Sequence, residues 1–308
     1  MIKFLEKYKS LKLIQDNGSK IIYSGINTKT IKKVIIKIYS ESDYNGSDFE
    51  RLRNNIKSRK LIKNDNIVKI YNIERKIYSG TSYYILELEY VDGESLESLI
   101  EFSTFSEIQA LQIISQVIHG LKSLKKAKLK LENISTRDIL LDVNGTIKID
   151  LSGDILSKEE RTNNNQSDIY LLGVILYKLI TKEDYNITKK INKSMISNVL
   201  SEILDRCLNK SSVIRYYDLD EMLSNINEYI YYGLEDNNEK VEISESKGRK
   251  RKLVKVTSIC IVSGLILASI SFAIRQIANL KDDTNDTSKV ITASNKNKYK
   301  EDIKKGSN

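Results

Sequence analysis

Proline is absent from the 308-residue chain, cysteine occurs twice and histidine once. The complete loss of proline points to biased codon usage. Cys207 and Cys260 follow no ligand or disulfide spacing, which excludes a cysteine metal site and a disulfide framework and indicates a reducing compartment for the main domain. His119 lies beside a glycine inside an apolar helical pattern, so no histidine-based triad or metal centre can be assembled around it. Its expected role is packing or surface.

Charge is plentiful and unevenly placed. The formal net charge is +9, and residues 234–308 hold 15 Lys/Arg against 10 Asp/Glu, leaving only +4 for the first 233 residues. That is too mild for a nucleic-acid surface, and a solvated basic face accounts for it. Glu235 to Ser246 is acidic and polar, as expected of a flexible linker. The basic cluster Lys247 to Lys252 follows, and then Val256 to Ile274, 19 residues without a charge. As a helix this run spans about 28 Å, close to the hydrocarbon thickness of a bilayer.

Positive flanks stay on the cytoplasmic side, and Arg275 with Lys281 is the weaker flank. The expected organisation is therefore a domain at 1–233 in the cytoplasm, a juxtamembrane linker at 234–252, a single transmembrane helix at 253–274 and a short polar tail at 275–308 outside. Gly264 and Ala268 form a small-xxx-small pair that would suit a homodimer. A length of 308 residues suits one globular domain with such an appendage.

The main domain carries its own signature. From Leu131 to Gly153 the chain reads LENISTRDILLDVNGTIKIDLSG. This stretch resembles the catalytic core of a bacterial Ser/Thr protein kinase, whose loop HRDLxxxN sets a base Asp five residues before a metal-binding Asn. With NILL on Asp138-Ile139-Leu140-Leu141, the base slot holds Asn133, the loop lysine slot Ser135 and the metal-Asn slot Asp138. The DFG triplet then falls on Leu151-Ser152-Gly153. A one-residue shift would make Asp150 the ligand, but strand side chains alternate. Ile147, Ile149 and Leu151 share one parity, so Asp150 is expected to point away.

Other landmarks follow in the kinase order. Val34-Ile35-Ile36-Lys37 resembles the VAIK strand, giving Lys37 the phosphate-facing position. Counting back from Ile67-Val68 places the acidic slot of the next helix on Asn55, with Glu50 more than a turn away. Between Leu13 and Tyr23, the three slots of the glycine-rich loop hold Gln15, Asn17 and Lys20. Asn17-Gly18 reads as a type I′ hairpin turn instead.

Tyr84 to Leu96 resembles the hinge strand and the start of the following helix, and Ile108 to Ala127 has the helical spacing of the next one. Ser167 to Tyr177 resembles the buried helix SDIYSLGVxLYEL. Val199 to Ile230 resembles the last two helices, with Arg215 where a partner for the APE glutamate usually stands. Only 13 residues separate Gly153 from Ser167, and they contain no APE. The absence of proline matches the missing prolines of HPN, KPxN and APE.

The resemblance covers residues 8 to 230 and implies an α+β, bilobal protein kinase-like fold with a β-rich first lobe and a helical second lobe. Asn133 cannot accept a proton and Leu151 cannot ligate Mg²⁺. The slots at Asn133, Ser135, Leu151 and Asn55 therefore imply a pseudokinase, not an enzyme, with no cofactor expected and Lys37 and Asp138 as a vestigial nucleotide site. Such a protein would act as a membrane scaffold or regulatory module in envelope, sporulation or secretion signalling, with an active kinase or an envelope or secretion component as partner and no nucleic acid. The alternative is an atypical active Ser/Thr kinase using Lys37, Asp138 and Asp150 with Mg-ATP.

Overall fold

The computed structural model describes residues 5–17, 20–41, 58–129, 134–152, 167–186, 196–209, 211 and 213–238. Runs of β-branched and aromatic residues, which fit a pleated and half-buried surface, form five strands: β1 (Tyr8–Asp16), β2 (Lys20–Asn27), β3 (Lys33–Ser40), β4 (Ile70–Tyr78) and β5 (Thr81–Glu89). They build one antiparallel sheet of order β1-β2-β3-β5-β4.

Alternation divides its faces. Val34, Ile36, Ile38 and Ile85 pack on one side beneath Leu5 and Tyr8, while Tyr39, Tyr84, Leu86 and Leu88 line the other. On the first face the buried Glu87 carboxylate is satisfied by the Tyr8 hydroxyl at 2.7 Å and the Asn27 amide at 2.9 Å. A carboxylate is costly to bury without such partners.

Asn17 and Lys20 close the β1–β2 hairpin. The Asn17 N–H donates to the Lys20 carbonyl at 3.2 Å, and the Lys20 N–H donates to Asn17 Oδ1 at 2.8 Å. The last pair of the ladder is Asp16 with Ile21, so Asn17 lies just past β1, and Gly18 of the expected Asn17-Gly18 turn lies outside the described residues.

The second lobe contains a small sheet of β6 (Gly93–Ser95), β7 (Ile139–Asp142) and β8 (Ile147–Ile149), with helices α1 (Leu96–Phe102), α2 (Glu107–Lys126), α3 (Asp168–Thr181), α4 (Asn198–Leu208) and α5 (Leu219–Asn238). Serine caps the first four at Ser95, Ser106, Ser167 and Ser197, each hydroxyl accepting from a first-turn amide. Helix α2 buries Leu111, Ile114, Val117, Ile118 and Leu121 at helical spacing against α3 and β8. His119 is exposed on it.

Helices α3 and α4 meet at Gly173, where a Cβ would lie 2.5 Å from that of Cys207. Burial pushes the Cys207 thiol up to about 12, so this cysteine is chemically inert in the folded lobe. Arg215 does not stand in solvent. Its guanidinium donates to Ser167 Oγ at 2.9 Å and to the Asn209 carbonyl, tying α4 to the start of α3.

The two lobes are joined by backbone. Val68 N–H donates to the Ile149 carbonyl at 3.0 Å, Ile149 N–H to the Asn66 carbonyl at 2.9 Å, and the Asn66 amide reaches Gln116 and the Ile147 carbonyl. Lys148 and Glu89 add an ion pair at 2.8 Å. These contacts fix where β8 ends relative to β3, and so position the cleft.

The bilobal α+β arrangement implied by the resemblance is present. Helix α5 continues to Asn238, past the domain boundary expected at 233. Among the described residues no helix is long and apolar enough to cross a membrane. The basic cluster Lys247 to Lys252, the apolar run Val256 to Ile274 and the tail lie outside the described residues.

Candidate active site

Lys37 rises from β3 into the cleft between the lobes and is only 6% exposed. Its ammonium donates to Asp150 Oδ2 at 2.7 Å and to Ser152 Oγ at 2.6 Å, across more than a hundred residues of sequence. Asp150 also receives the Ser152 N–H at 2.9 Å, and the Tyr39 hydroxyl holds the Ser152 carbonyl at 3.1 Å. The segment after β8 is thereby clamped beneath β3.

This arrangement overturns the expectation that Asp150 points away. The alternation itself holds, but the apolar parity of Ile147, Ile149 and Leu151 faces the helical core against α2. The polar parity of Lys148 and Asp150 consequently faces the cleft. Leu151, placed by the ungapped register in a metal slot, is 4% exposed within that core. Hydrophobic burial thus decides which parity of this segment faces the cleft.

Asp138 stands beside this cluster. Its carboxylate accepts the Ser135 N–H at 3.0 Å and the Ser135 hydroxyl at 2.7 Å, and its carbonyl accepts the Asp150 N–H at 2.7 Å. Ser135, in the lysine slot, thus serves as a clip for the neighbouring carboxylate. Asn133 and Asn55, with Glu50, lie outside the described residues.

Sequence reasoning passed over Ser152 and Arg59. The buried Arg59 donates to the Leu151 carbonyl and so grips the same segment. The resemblance marks Ser152 only as the middle residue of the triplet Leu151-Ser152-Gly153, and no motif marks Arg59.

The two carboxylates titrate apart. Burial pushes Asp138 above the usual aspartate range, and the Ser135 hydrogen bonds offset this only in part. Burial would also raise Asp150, but the adjoining Lys37 ammonium and the Ser152 hydrogen bonds outweigh it and hold Asp150 down at about 2. Two carboxylates from adjoining segments offer the hard oxygen donors that suit Mg²⁺, and Lys37 offers a charge for phosphate. The residues present therefore fit a metal-nucleotide complex.

On acidification Asp138 accepts a proton before Asp150 does.

Residues 17–153, somewhat less than half of the chain, match the model of the protein kinase domain. The serine/threonine-protein kinase PrkC of Bacillus subtilis is 26% identical over 200 residues, covering 57% of this chain and 30% of that protein. Calcium-dependent protein kinase 4 of Plasmodium falciparum is 22% identical over 258 residues, covering 70% of this chain and 48% of the relative. The probable serine/threonine-protein kinase PknB of Lactococcus lactis is 20% identical over 266 residues, 72% of this chain and 42% of that one. The chain spans less than half the length of these curated relatives.

Together these findings make residues 17–153 similar to the protein kinase domain, with bacterial Ser/Thr kinases among the relatives at low identity. The expectation that it is not an enzyme is corrected: the domain match and the Ser/Thr kinase homologues point to a protein kinase enzyme.

Proposed function

We propose that the chain is an atypical Ser/Thr protein kinase in which Lys37 positions the phosphates of ATP and Asp138 and Asp150 hold Mg²⁺. The observation that carries this reading is the Lys37–Asp150 contact of 2.7 Å across the cleft. It supplies the two charges that phosphoryl transfer asks of a protein, a cation for the phosphate and an anion for the metal. Bound Mg²⁺ would neutralise charge on the transferring phosphoryl group.

In phosphoryl transfer there is little covalent work for side chains, and rate comes mainly from positioning and electrostatics. Asn133 in the base slot therefore lowers the expected rate without removing the reaction. The hydrogen bonds from Ser152, Tyr39 and Arg59 hold the Asp150 segment in place, so little reorganisation is needed when substrate enters. The test is incubation of the purified full chain with labelled ATP and Mg²⁺ or Mn²⁺, with Ser/Thr peptides as acceptors. Incorporation into serine or threonine is expected, and its absence with both metals would overturn the proposal.

The same proposal places the kinase domain at the inner face of a membrane, held by Val256 to Ile274 with Lys247 to Lys252 at the headgroups. The support is the uncharged run next to a basic cluster. Cell fractionation should find the full chain with membranes and a chain ending at 246 in the soluble fraction. Equal distribution of the two would refute the anchor.

A further inference from the structure

A second lysine faces the same cleft. In the β2–β3 ladder Ile22 opposes Lys37 and Lys20 opposes Tyr39. Directly opposed residues of an antiparallel pair share a face. Lys20 therefore stands on the Lys37 side of the sheet, across from the tyrosine whose hydroxyl holds the Ser152 carbonyl. Alternation sends Ile21 to the opposite face, where it packs with the cluster of Ile36 and Ile38.

Lys20 is half-buried, and the charges of Lys37, Asp150 and Asp138 all reach its ammonium. Burial and Lys37 push its pKa down while the two carboxylates oppose them. Among the described residues it forms no salt bridge, whereas Lys37 already has Asp150. A partly desolvated cation without an anion at a cleft rim is stabilised by an anionic ligand.

The hairpin also explains why a side chain is needed. Backbone amides approach phosphates closely where glycine leaves no Cβ in the way, but here the corresponding slots hold Gln15, Asn17 and Lys20. A lysine, with a flexible stem and a point charge, can reach phosphate where the amides cannot.

We propose that Lys20 is a second phosphate-contacting cation, which recognises the triphosphate of a nucleotide jointly with Lys37 from a hairpin whose three glycine slots hold other residues. This rests on the Mg-ATP reading above and specifies which part of the nucleotide the hairpin recognises.

The experiment measures binding of ATP, ADP and adenosine to the full chain in Mg²⁺ by calorimetry, for the natural sequence, Lys20→Met and Lys20→Arg. Losing a hydrogen bond to a charged group should weaken ATP binding by Lys20→Met about tenfold or more. ADP should lose less and adenosine nothing, while Lys20→Arg should retain most of the ATP affinity. An equal loss for ATP and adenosine would mean that Lys20 only shapes the hairpin, and unchanged ATP affinity in Lys20→Met would mean that it contacts no phosphate. Either result overturns the inference while leaving the kinase reading intact. Failure of the natural chain to bind ATP at all would overturn both.

Discussion

Lys37→Ala and Asp150→Asn should each reduce the proposed phosphoryl transfer by about 10²–10³ or more, the loss that follows removal of one preorganised charge from a transition state. Each substitution also leaves the other charge of a buried pair uncompensated, so stability is read beside rate. Asp150→Asn leaves the buried Lys37 ammonium with Ser152 Oγ but without its counter-charge. Breaking a buried pair from one side costs about 3–5 kcal/mol.

Pairing Asp150→Asn with Lys37→Met removes both charges and should recover much of that stability while remaining inactive. Recovery of stability without recovery of rate is the expected result in denaturant titrations and kinase assays on the same preparations. A Lys37→Ala protein that keeps most of its activity would remove Lys37 from the mechanism.

The same pair sets a pH dependence. Asp150 has a folded pKa of about 2, below the unfolded aspartate value of about 3.9. Its contribution to stability is therefore complete above about pH 4 and is lost as pH falls through 2. Asp150→Asn should flatten that part of the acid unfolding curve.

Gly93→Ala should unfold or severely destabilise the second lobe. A Cβ at Gly93 would lie 2.1 Å from the Leu141 carbonyl oxygen and 2.7 Å from the Asp142 Cα, both of them backbone atoms. No rotamer change relieves such a contact, so β6 must separate from β7, carrying with it α1 and its buried Leu96 and Leu99. The expected loss is about 3 kcal/mol or more, at the upper end for overpacking. Gly80→Ala is the control. That glycine has φ +81° and open space around it, so only the left-handed backbone is strained, at about 1–2 kcal/mol. Equal losses for the two variants would show that the β6–β7 contact has no special weight.

Much of this architecture could be read in the sequence, because long elements carry periodicity. Helix α2 was legible from apolar residues at helical spacing, and β3 and β5 from their resemblance to the VAIK and hinge strands. Serine caps such as Ser106, whose hydroxyl accepts from Gln109 while the Gln109 side chain returns to the Ser106 amide, were a signal left unused.

The site was read less well, since its residues lie where elements end. The parity of β8 was identified correctly, but parity does not say which side is the cleft. That followed only once α2 was seen to take Ile147 and Ile149. The motif spacing put Leu151 in the metal slot, whereas it is Asp150 that meets Lys37. Lys20 could have been found by extending the pairing of Ile22 with Lys37 by two residues along the hairpin, a step that needs a ladder rather than a motif.

The burial of Cys207 gives the helical lobe an internal reporter. A thiol held near pKa 12 has almost no thiolate at neutral pH, so alkylating reagents can reach it only when α3 and α4 come apart. In a Cys260→Ser background the alkylation rate would time the opening of this lobe directly, without an added dye or a tryptophan, which the chain lacks.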